Sequence, residues 1–125
     1  MATWQGRSLT KPSGGRIRPW RKKRKREIGG DFVPVRLGPK KVMKKRVRGG
    51  RMKLRLLSVE YANVSDSSGN TRKAKILRVI ENPAGRDFTR TQTITRGAII
   101  QTEIGKARVT GRPGQEPVVN AVLIE

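Results

Sequence analysis

The sequence predicts an all-β protein of about six or seven short strands, curled into a small sheet or barrel behind a long basic N-terminal extension. Three observations carry this. Apolar residues gather after Leu54 and alternate there with a period of two. No convincing helical period occurs after residue 50. Charge is concentrated at the other end: residues 1–55 hold 20 basic and 2 acidic residues, whereas residues 56–125 hold 10 and 7.

The first thirty residues contain too few apolar side chains to offset roughly 1–2 kcal/mol of backbone entropy per residue. Pro12, Gly14, Gly15, Pro19, Gly29 and Gly30 punctuate them further. Residues 1–30 are therefore expected to be a basic extension, disordered when free and ordered on a partner. Residues 31–125 are expected to form the β-domain, whose first part, 31–52, is still basic. Lys40–Arg51 reads as a loop or edge strand, with Gly49–Gly50 as a close-approach turn. From Arg51 to Tyr61, Met52, Leu54 and Leu56 fall on one face and Lys53 and Arg55 on the other. The phase then slips to Leu57, Val59 and Tyr61. Lys73–Ile80 slips likewise, from Ala74 and Ile76 to Leu77 and Val79. Such a slip marks a bulge or a sharp bend. The polar cluster Val64–Thr71 between these strands predicts a hairpin. Further strands are expected over Asp87–Thr95, Ala98–Glu103, Lys106–Thr110 and Val118–Ile124, with turns at Asn82–Gly85 and Arg112–Pro117.

Thirty Lys and Arg against nine Asp and Glu in 125 residues give a formal charge of +21. That excess opposes folding by self-repulsion and calls for a polyanion: nucleic acid, an anionic membrane surface or an acidic protein. The chain has no Cys and no His, which removes thiolate chemistry, zinc ribbons and the commonest general base. No apolar run approaches the roughly 18–20 residues that span a bilayer. Met1–Arg7 lacks the apolar stretch of a secretory signal. An intracellular, soluble protein is expected. Gly105–Lys106 fails as a phosphate loop, because Ile100 and Ala107 stand where Gly and Ser or Thr are needed. The nine acids form no acid–base motif. No catalytic residue, metal or cofactor is expected.

Binding is expected from three blocks. The strongest is Gly14–Arg26, preceded by Arg7 and Lys11. Arg16, Arg18 and Arg21 suit two-pronged contacts with phosphate oxygens. Lys22, Lys23, Arg24, Lys25 and Arg26 continue the run with Arg21. Trp20, with nothing apolar beside it, suits stacking on an unpaired base; docking on the protein's own sheet is the alternative. The run could also be a solubilising tail or resemble a nuclear-localisation signal. The second block comprises Lys40, Lys41, Lys44, Lys45, Arg46, Arg48, Arg51 and Lys53. The third is scattered over the β-half, with Arg72, Lys73 and Lys75 foremost and Arg78, Arg86, Arg90, Arg96, Arg108 and Arg112 beside them, some to bind phosphate and others to pair with acids; Lys73 and Lys75 share a face opposite Ala74 and Ile76. There is no zinc finger, basic-region zipper or RNP-type aromatic strand. A long basic extension joined to a basic β-body suits a large folded RNA. A DNA-compacting protein is the alternative, and an enzyme a distant third.

The residues also carry a resemblance. Trp4–Leu9, Ser13–Arg16, Arg18–Glu27, Arg46–Gly50 with Lys53 and Leu54, Asn82–Pro83, Thr95–Glu103, Val109–Gln115 and Val119–Ile124 together resemble the ribosomal protein S8e family over nearly the whole chain. The short length is similar to the archaeal form. This chain has Trp20 where the family often has Tyr, which keeps an aromatic, and Arg51 where it often has Asn. The resemblance implies a structural constituent of the small ribosomal subunit, with a β-barrel-like body and a basic N-terminal extension. It implies ribosomal RNA of the small subunit as partner, neighbouring ribosomal proteins as further contacts, and a place in cytoplasmic ribosomes. No membrane and no small-molecule substrate are expected.

Overall fold

The computed structural model describes residues 3–124. The chain divides into two compact units between Phe32 and Val33. In the N-terminal unit, β1 (Thr3–Trp4) pairs antiparallel with β2 (Ile28–Gly29). Between them the chain doubles back on itself: Ile17 N–H donates to Leu9 O (2.7 Å), and Thr10 and Arg16 form an isolated bridge. Gly14 closes the turn at φ 84°, a conformation that costs glycine nothing. A 3-10 turn covers Lys25–Glu27. No described side chain of this unit is fully buried, so local hydrogen bonds and ion pairs hold it.

The body consists of β3 (Val35–Leu37), β4 (Lys41–Arg46), β5 (Met52–Val59), β6 (Tyr61–Ser65), β7 (Thr71–Glu81), α1 (Arg86–Arg90), β8 (Thr93–Ile94), β9 (Ile99–Thr102), β10 (Lys106–Val109) and β11 (Asn120–Leu123). Five strands close a barrel in the order β10-β11-β6-β7-β9, and four make a sheet in the order β4-β5-β3-β8. The all-β expectation with a barrel-like body therefore holds. The body has more strands than expected: β3, at three residues, is too short to show an alternation, and β6 falls across the end of the expected Arg51–Tyr61 strand and the start of the expected Val64–Thr71 turn. The barrel pairs are antiparallel except β11–β6, which is parallel and closes the ring. A five-stranded ring has little interior room. Ala62, Ala74, Ala107 and Ala121 accordingly face inward beside Val64, Ile76, Val109 and Val119. Val35, Leu56, Val59 and Ile94 from the four-stranded sheet complete the same core.

Both phase slips are bulges. On β5, Leu56 pairs with Val42 and Ser58 with Lys41, so Leu57 is the extra residue. On β7, Ile76 pairs with Thr102 and Arg78 with Gln101, so Leu77 is extra. Leu77 is 50% exposed and Leu57 and Tyr61 are also exposed, which corrects the expectation that these residues continue a buried face. The core positions are Leu56 and Val59 on one strand, Ile76 and Val79 on the other. The extruded leucine is the residue that lets each strand twist sharply. The chain then bends at Glu60 from the four-stranded sheet into the barrel.

The hairpin at Asp66–Asn70 forms as expected, with Gly69 N–H donating to Asp66 O at 3.0 Å. Asp87–Thr95 is not one strand. Arg86–Arg90 is a single helical turn, and only Thr93–Ile94 is extended. Five residues are too few to display helical periodicity. Two side chains hold this connection. Asn82, buried, donates from Nδ2 to Thr93 O (3.0 Å) and accepts at Oδ1 from Ala84 N–H (3.0 Å) and Thr95 Oγ1 (2.8 Å). Gln92, at φ 52°, accepts from Val79 N–H at Oε1 (2.7 Å) and donates from Nε2 to Val79 O (3.3 Å) and Thr89 O (2.9 Å). Its amide thus substitutes for a neighbouring strand beside the irregular stretch of β7.

Candidate nucleic-acid interface

Every cation singled out by the sequence is exposed except Arg21, which is half-buried. With thirty basic and nine acidic residues, most of them have no acidic counterpart within the chain.

In the N-terminal unit Glu27 organises the basic run. Arg21 Nη1 donates to Glu27 Oε2 at 3.1 Å, Arg21 Nη2 donates to Oε1, and Arg24 N–H adds a third bond at 3.2 Å. These donors favour the charged carboxylate and hold its pKa below the usual glutamate range. The same bond holds the Arg21 guanidinium's pKa above its ordinary value. The Arg21 fork is therefore engaged within the chain. Its guanidinium also lies over the Trp20 ring, 4.6 Å from the centroid. Trp20 itself is 88% exposed. Arg7, Lys11, Arg16, Arg18, Lys22, Lys23, Arg24, Lys25 and Arg26 are exposed around these residues. Lys23 lies over Trp4, 5.3 Å from the ring centroid.

In the body, Lys40–Lys53 is mostly the β4–β5 hairpin. β4 is an edge strand, as one of the sequence alternatives had it. Register puts Met43, Lys45, Lys53 and Arg55 on one face, and Val42, Lys44, Arg46, Met52 and Leu54 on the other. Lys45 faces Lys53 directly, a like-charge pair that costs a few tenths of a kcal/mol or more without a counterion. β3 pairs with β5 only at Ser58 and Val59. The tip of the hairpin is thus two strands wide, and Met52 is 56% exposed rather than half-buried. Lys40, Arg48 and Arg51 flank the strands and are exposed. Gly49 and Gly50 have φ 78° and 76°. A Cβ at Gly49 would meet no other atom of the chain, and the positive φ by itself favours glycine there.

On β7, Lys73 and Lys75 point outward as expected, with Ala74 and Ile76 inward. Lys75 Nζ pairs with Glu60 Oε1 at 3.0 Å, which raises the ammonium pKa. Lys73 lies over the Tyr61 ring, 4.6 Å from the centroid. Arg72 is exposed at the barrel rim, beside Asp66 and Asn70. The aromatic–cation pair Tyr61–Lys73 went unread in the sequence, although counting back from the Asp66–Asn70 turn places Tyr61 opposite Lys75. Among the described residues no cluster of metal-ligating side chains gathers, and no helix is long and apolar enough to cross a membrane.

The comparisons with known proteins agree on one family. Residues 4–124 match the family model described as ribosomal protein S8e. The chain is 50% identical over 123 residues to the small ribosomal subunit protein eS8 of Methanospirillum hungatei JF-1, covering 98% of each. It is 50% identical over 113 residues to the protein of the same name from Nanoarchaeum equitans, covering 89% of each. With a family match across nearly its whole length and relatives at this identity, the chain belongs to the ribosomal protein S8e family.

Proposed function

We infer that this chain is a structural constituent of the small ribosomal subunit that binds ribosomal RNA through its basic N-terminal unit and the basic surfaces of its β-body. It acts without catalysis, within ribosomes of the cytoplasm. The observation that supports this most directly is the exposure of nearly every cation in two long basic blocks, on a chain too poor in acids to neutralise them. Phosphates brought close by RNA folding repel one another, and lysines and arginines laid between them relieve that repulsion. Residues 1–30, without a buried side chain among those described, are the part that orders on the RNA. The β4–β5 hairpin and the Lys73 face of β7 add contacts from the body.

The test is sedimentation of a lysate containing tagged protein at low and high salt, together with RNA binding across salt concentrations. Co-migration with the small subunit in high salt is expected. So is a fall in log K with log salt of about 0.7–0.9 per phosphate contacted. Migration with chromosomal DNA, and equal affinity for random duplex DNA, would favour the DNA-compacting alternative.

A further inference from the structure

The N-terminal unit contains a cleft of about 650 Å³ whose walls include Trp4, Leu9, Ile17 and Trp20, with Arg18 and Lys22 also lining it. The two indoles are held in place by their neighbours in the unit. Trp4 donates from Nε1 to Arg7 O (3.1 Å), and its ring lies so close on Gly6 that a Cβ there would collide with it. Trp20 is backed on one face by Arg21, itself locked by Glu27, while most of its surface is open. An apolar, aromatic cleft with a cationic rim matches a flat, apolar ring attached to an anion. We propose that this cleft receives one unpaired nucleobase of RNA, stacked on Trp20, with its flanking phosphates on the rim cations Arg18 and Lys22.

This rests on the RNA-binding reading above and deepens it. Phosphate contacts alone are indifferent to bases, whereas an aromatic platform rewards any base that leaves its own stack.

The experiment uses the full chain and two short single strands with equal numbers of phosphates, an oligoadenylate and its abasic counterpart. The oligoadenylate is expected to bind roughly tenfold tighter and to quench tryptophan emission. Trp20→Ala should abolish that preference, and Trp20→Tyr should keep it. Gly6→Val, which displaces the Trp4 ring, should weaken the preference. Equal affinity for the two strands, each with a steep salt dependence, would overturn the base pocket and leave RNA binding standing. Failure to bind either strand would overturn both. Displacement of the oligoadenylate by polyglutamate, matched for charge and equally effective, would show that the cleft takes an acidic protein instead.

Discussion

The two units of this chain solve opposite problems. The body buries Val35, Leu56, Val59, Ile76, Ile94, Ile100 and Val109 in one core and leaves nearly all its cations exposed. The N-terminal unit buries no described side chain fully and concentrates its cations around Glu27 and two indoles. Apolar burial at about 25 cal/mol per Å² can offset chain entropy in the first case and has little area to act on in the second. Stability is therefore expected to reside in the body, and the larger share of phosphate binding in the N-terminal unit.

The largest effect that would test this division is on binding. Replacing Lys22, Lys23, Arg24, Lys25 and Arg26 together by Ala should lower the salt slope of RNA binding by about 3.5–4.5. Thermal unfolding of the body should not change. A shift in the body's melting temperature would show that the two units share stability after all. The converse change is Leu56→Ala, at a side chain with 0% exposure. It should cost about 2–5 kcal/mol of body stability by denaturant unfolding and leave the salt slope intact. Next is Asn82→Ala, which strands the Thr93 carbonyl and the Ala84 N–H around a buried site. A loss of about 1–3 kcal/mol is expected; Gln92→Ala, at a less buried amide, should cost less. Smallest is the Glu27 effect. Its carboxylate is depressed by Arg21, so its pairing is fully present above the ordinary glutamate range and is lost as pH falls through its own lower midpoint. An NMR titration should find that midpoint low and Arg21→Ala should return it toward the ordinary range.

Much of this was legible because it is local. The hairpin at Asp66–Asn70 announces itself by polar turn residues, and the outward Lys73 and Lys75 by simple alternation. The slips at Leu56–Leu57 and Ile76–Leu77 announce a break. They do not say which residue leaves the ladder, because that depends on the partner's register: Lys41 and Val42 decide it for Leu57, Gln101 and Thr102 for Leu77. Arg86–Arg90 was misread as strand because a threonine-rich stretch has strand propensity and one helical turn has no period. Gly49 serves its tight turn by a positive φ, and no other part of the chain crowds it. Of the site, the cations were legible from composition. The engagement of Arg21 by Glu27 and the cleft between Trp4 and Trp20 were not, since residues 16 positions apart meet only after the chain doubles back.

By itself the sequence determined the uneven charge, the all-β character and the lack of thiol and imidazole side chains, because these follow from residue type and short-range order. Tertiary structure alone decided the parallel β11–β6 pair that closes the barrel, the choice of Leu57 and Leu77 as the extruded residues, and the backing of Trp20 by Arg21. Each of these joins residues through register or a reversal of the chain. A strand's periodicity says which faces it has, and only its neighbours settle which face is buried and what stands across from it.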